Sequence, residues 1–141
     1  MHGRAHLLGE LHFGFDEENF FVRIDPAGDA AATIRDEGEF RISIHGGCDL
    51  RVHLPIAGNK LQKVRVEINE TCPLGADQHV KAAYDSILEV SISRKLLALE
   101  GTAEISLSVS LWHGGLPVDV LPAEGWLPIK LGADVFAWPR P

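Results

Sequence analysis

The chain has 141 residues, a formal net charge of −7 at pH 7 and 45% hydrophobic side chains. That length supports one ordinary hydrophobic core, so residues 1–141 are expected to form a single domain. The acidic balance argues against nucleic acid or an anionic membrane as partner, since both reward clustered Lys and Arg, and no stretch reaches the roughly 18 apolar residues of a membrane span.

The first predicted strand covers residues 5–13, with Leu7, Leu11 and Phe13 on one side and His6, Glu10 and His12 on the other. Gly14–Asn19 is a turn. Phe20, Val22 and Ile24 then mark the inner face of a second strand, which Pro26-Ala27-Gly28-Asp29 breaks. Phe40, Ile42 and Ile44 set a third strand, Leu50, Val52 and Leu54 a fourth, and Val64, Val66 and Ile68 a fifth. The stretch 71–85 is a long connection with helical character expected around His79–Tyr84. Leu88, Val90 and Ile92 set the sixth strand, and Arg94–Gly101 is expected to form one or two helical turns stopped by its glycine.

The longest alternation follows. Ala103, Ile105, Leu107, Val109 and Leu111 face one way, while Glu104, Ser106, Ser108, Ser110 and Trp112 face the other. Side chains on a strand alternate between its two faces, so this is a half-buried seventh strand whose wet face ends in an indole. His113-Gly114-Gly115 turns into residues 116–121, and Leu127, Ile129 and Leu131 complete the set. Short alternating strands separated by turn residues imply an all-β fold, a single antiparallel β-sandwich of about nine strands with one short helix. The closing 135–141 segment, with Trp138 and two prolines, is expected to lie against the body or on a neighbour.

No GxSxG, HExxH, phosphate-binding glycine loop or CxxC motif is present. His6, Glu10 and His12 share a strand face, but no third ligand is fixed by spacing, so no metal and no cofactor are expected. Asp16-Glu17-Glu18-Asn19 with Asp25 lacks the spacing of a calcium loop and fits an acidic hairpin turn. Cys48 and Cys72 are expected to be free thiols of a cytoplasmic protein, because the N-terminal residues show no signal-peptide run. The candidate ligand-binding residues are Trp112, His113 and Trp126. Both indoles are out of phase with the apolar faces of their strands, where they can stack on sugar rings or pack under a loop or partner.

Three stretches carry a resemblance to a known family. They are Gly3-Arg4-Ala5 with Phe13-Gly14-Phe15-Asp16 and Phe20–Asp25; Ile87–Ile92 leading to Leu96–Gly101; and Leu121–Ile129 with Ala137-Trp138-Pro139. In this order the chain, from about residue 3 to 139, resembles the C-terminal β-sandwich region of proteins related to glycoside hydrolase family 57, α-amylase-like and glucan-processing enzymes. The same strand order is similar to the wider group of sandwich domains that bind carbohydrate or haem. The resemblance implies a non-catalytic accessory or carbohydrate-binding module, with an α-glucan or a catalytic glycoside hydrolase domain as partner. That family's catalytic carboxylates lie in an α/β barrel that has no counterpart here, so none is carried over and the chain is not expected to be an enzyme. The competing reading is a purely structural domain that packs on a catalytic domain or forms a homodimer.

Overall fold

The computed structural model describes residues 3–5, 7–28, 30, 34, 37–97 and 103–131, without the side chains of 3–5, 103 and 131. Its strands are β1 (Gly3–Ala5), β2 (Gly9–Phe15), β3 (Asn19–Asp25), β4 (Gly38–His45), β5 (Asp49–Ala57), β6 (Lys60–Leu61), β7 (Arg65–Ile68), β8 (Val80–Tyr84), β9 (Leu88–Ser93), β10 (Ala103–His113), β11 (Leu116–Leu121) and β12 (Leu127–Leu131). All pairings among them are antiparallel. The first sheet runs β1-β2-β3-β9-β8 and the second β11-β10-β4-β5-β6. β12 lies along the first half of β10, and β7 along the first half of β5. Each margin of the second sheet is thus made of two short strands end to end. Among the described residues no helix is long and apolar enough to cross a membrane.

The two sheets close on one core, as a sandwich requires. Phe20, Val22, Ile24, Phe40, Ile42, Ile44, Val52, Val66, Val90, Ile105, Leu107 and Val109, the residues whose alternation marks them as inward, are all buried. Leu127 and Ile129 join them from β12. Ala30 and Ile34, from the connection between β3 and β4, are also fully buried and belong to the same cluster. Nothing in strand periodicity foretells those two, because they lie between strands.

Two segments differ from the sequence expectation. The 5–13 run is not one strand. Gly9 adopts φ +71°, and β1 folds back on β2 with Ala5 opposite Gly9 and Gly3 opposite Leu11. A Cβ on Gly9 would stand 2.2 Å from the Asp25 carbonyl oxygen, so backbone occupies the space a side chain needs. Leu8 and Leu11 are therefore the deeply buried residues here, while Leu7 and Phe13 pack only in part. The second difference is Val80–Tyr84, a strand rather than a helix, preceded by a 3-10 turn at Ala76–His79. Val80, Ala82 and Tyr84 stand opposite Ile92, Val90 and Leu88 and face the core with them, so tertiary pairing overrides the helix preference of Lys81, Ala82 and Ala83. A second 3-10 turn, Arg94–Leu97, begins the helical stretch expected to stop at Gly101; residues 98–101 of that stretch, and the 135–141 tail, are outside the described residues.

Candidate functional site

β10 is an inner strand of the second sheet, flanked by β4 on one side and by β11 and β12 on the other, so its outward residues lie among theirs. Trp112 stands opposite Glu39, Ser110 opposite Arg41, Ser108 opposite Ser43 and Ser106 opposite His45. On the other flank Leu107 pairs with Leu127, and the register carried one residue further brings Trp126 beside Ser108. Both candidate indoles thus stand on the outer face of one sheet. Four residues of strand separate their levels, about 13 Å at 3.3–3.4 Å per residue. Ser43, Ser106, Ser108 and Ser110 lie between and beside them.

Each indole is held. The Arg41 guanidinium carbon lies 3.7 Å from the centre of the Trp112 ring, a cation–π contact, and the Trp112 Nε1–H donates to Ser110 Oγ at 2.9 Å. Trp126 is 46% exposed and leans on the His45 ring at 5.5 Å between centroids. His45 in turn pairs with Asp49 across the β4–β5 hairpin. A depression of about 290 Å³ lies against Trp112, lined also by Glu37, Glu39, Arg41, Pro55 and Gly115. A smaller one of about 160 Å³ lies against Trp126, with Ser43, His45, Asp49, Arg51 and Glu67.

Between the two depressions runs a charged cluster that sequence reasoning missed. His53, on the outward side of β5, is only 3% exposed, and it is the one buried polar residue among those described. Its Nδ1 is 3.2 Å from Glu39 Oε2 on β4, and its Nε2 is 2.7 Å from Glu67 Oε1 on β7. Arg65 Nη2 also lies 3.2 Å from Nδ1. Glu39 is shared, for it pairs with the Arg41 Nε as well. Burial pushes the Glu39 carboxyl up, but hydrogen bonds from Arg41 and His53 and their charges outweigh it and hold the group below its ordinary value. The signal in the sequence is polar residues at alternating positions on three strands, 39/41, 51/53 and 65/67, which only the register brings together.

His113, the third candidate, follows Trp112 and by strand parity points to the opposite side, with its Nδ1 2.9 Å from the Glu37 carbonyl oxygen. It is not grouped with the indoles. Arg23 and Glu89, polar residues of the kind that orient sugar hydroxyls, stand opposite each other on the outer face of the first sheet, across the sandwich from Trp112. There they line a depression of about 730 Å³, with Phe15, Phe21, Lys81 and Ser91. Arg23 Nε is buried in it without a hydrogen-bond partner.

Of the residues weighed as metal ligands, His12 and Glu10 pair with each other at 3.5 Å, and His6 is outside the described residues. No group of three or more His, Cys, Asp or Glu suited to a metal occurs among the described residues. The acidic turn has an internal role: Asp16 Oδ1 accepts hydrogen bonds from the Glu18 and Asn19 amides at 2.8 and 2.7 Å, which shapes the β2–β3 hairpin. Cys48 and Cys72 are both free thiols.

Compared with protein-family models, characterised proteins and solved structures, the chain finds no match among any of them.

Proposed function

We propose that this chain is a non-catalytic carbohydrate-binding module that serves an α-glucan-processing enzyme, and that the sugar lies across the outer face of the second sheet. One observation carries the reading: Trp112 and Trp126 share that face, each ring rests against a neighbouring side chain, and serine hydroxyls lie between them. An apolar ring with hydroxyl groups around it is the surface that a sugar matches, since one sugar face is C–H and its rim is O–H. Pre-fixed rings reduce the ordering cost of binding. The α-glucan assignment adds the resemblance of the sequence to the accessory region of glucan-processing proteins. Cytoplasmic location belongs to the same reading, because a reducing compartment keeps thiols such as Cys48 and Cys72 free.

Maltoheptaose is the probe. Binding should be weak, about millimolar to micromolar, because an open face buries little of its ligand. Trp126→Ala and Trp112→Ala should each remove retention on an α-glucan column, with little change in the melting curve for Trp126→Ala. The purified chain should hydrolyse no maltooligosaccharide. Wild-type protein that shows no retention and no tryptophan fluorescence change at millimolar maltoheptaose would refute the sugar reading.

A second reading has its own observation. β11 is a marginal strand beside Trp112 and exposes Leu116 (68%), Val118 and Val120. Exposed apolar residues on a sheet margin are the usual means of pairing with a second copy. A dimer in sedimentation that Val118→Lys with Val120→Lys dissolves would favour this homodimerisation reading.

A further inference from the structure

A chain of contacts leads from the buried His53 to the ring of Trp112. His53 Nδ1 meets Glu39, Glu39 meets the Arg41 Nε, and the Arg41 guanidinium lies on the indole. With His53 protonated the links alternate in sign, and Glu67 holds the other side of the His53 ring at 2.7 Å. We propose that His53 is the positioning residue of the Trp112 site, and that its protonation state sets where Arg41 and the indole stand. As control of sugar binding this rests on the carbohydrate reading; the coupling between His53 and Trp112 does not.

The groups facing His53 are Arg51 on its own strand, Glu39 and Arg41 on β4, and Arg65 and Glu67 on β7. As imidazolium, His53 donates from Nδ1 to Glu39 and from Nε2 to Glu67, and both carboxylates are satisfied. Deprotonation sends one proton to water. Nε2 keeps its hydrogen, because the Glu67 contact is the shorter at 2.7 Å. Nδ1 then becomes an acceptor, and Arg65 Nη2 at 3.2 Å is placed to donate to it. Glu39 now faces a lone pair where it had a donor. It retains only Arg41, and the pair is free to swing off the indole. The fixed half of the cluster, His53–Glu67–Arg65, stays on β5 and β7, while the released half belongs to the ligand face.

The test is an NMR titration of the full chain from about pH 5 to 8.5, following the His53 ring protons and the Trp112 indole N–H. The two should move with one midpoint. His113 adjoins Trp112, so its ring protons are followed in the same spectra, and an indole that tracks His113 instead of His53 overturns the proposal. So does an indole that stays still while His53 titrates, or a His53 that keeps one charge state throughout. Glu39→Gln should leave His53 titrating but uncouple Trp112; should that variant fail to fold, Arg41→Gln makes the same cut further along, and the wild-type titration decides on its own. Maltoheptaose should bind about two- to fivefold more weakly above the transition, the range expected for loss of one cation–π contact. No maltoheptaose binding at any pH, with the two midpoints still coincident, would sink the sugar reading and leave the coupling established.

Discussion

Arg41 and Trp112 stand on neighbouring strands, two residues out of direct register on the same face, and the guanidinium covers one face of the indole at 3.7 Å. The contact orients the ring and leaves the outward side for whatever binds there. Arg41→Ala should lower stability by about 0.5–2 kcal/mol, combining a partly exposed cation–π contact with the lost Glu39 pair. A urea midpoint unchanged by the substitution would mean that the ring is not held by Arg41 in solution.

Leu107 is fully buried where β10 meets β4 and β12. Leu107→Ala should cost about 2–5 kcal/mol, from lost burial together with the cavity that remains. For a domain of this size that is a drop of many degrees in the thermal midpoint. A midpoint that stays put would contradict the burial.

The cluster around His53 gives stability an acid limb. The Glu39 carboxyl is held below 4.5, its ordinary value, so it binds fewer protons folded than unfolded. Its contribution is therefore present above about pH 4.5 and is lost as the pH falls through the lower folded value. Urea titrations of wild type and Glu39→Gln should converge as the pH drops below 4.5. Two curves that stay parallel to pH 3 or so would remove Glu39 from the acid transition.

The two thiols should behave differently. Burial raises the Cys48 thiol, and the Asp49 charge adds to it, while its S–H donates to the Leu96 carbonyl oxygen at 3.1 Å. Cys72 is exposed. Since the thiolate is the reactive form, Cys72 should be labelled first by a thiol reagent in the native protein, with Cys48 following only slowly. Mass spectrometry of the partly labelled chain reads the order, and equal rates at both sites would contradict it.

Much of the architecture is legible along single strands, because alternation reports which side of a strand is dry. Phe40, Ile42 and Ile44 show their face without reference to any other segment. Gly9 is where this fails: the apolar pattern runs straight through it, and only its positive φ and the approach of Asp25 turn the run into a hairpin. Val80–Tyr84 fails for another reason, since Ala and Lys suit a helix and only pairing with β9 makes the segment a strand. The indoles stand out in the sequence because each is out of phase. Their grouping does not, nor does the separation of Arg23 and Glu89 from them, since a strand's periodicity says nothing about which sheet it joins. His53 is hidden for the same reason: its carboxylate partners are 14 residues away on either side and meet it only through register.

Asp119 closes the turn at the other end of the chain: its carboxylate accepts from the Leu7 and Leu8 amides at 2.7 and 3.0 Å, across 112 and 111 residues. Those two donors have no partner until the ribosome has delivered β11. The same holds on a larger scale for β10, the strand to which β4, β11 and β12 all pair. Nascent chains cut short before residue 103 lack the strand on which half the sandwich assembles, and leave the margin of β4 open to other chains. The second sheet therefore cannot close until β10, β11 and β12 have all been made, whereas every strand of the first sheet precedes them in the chain.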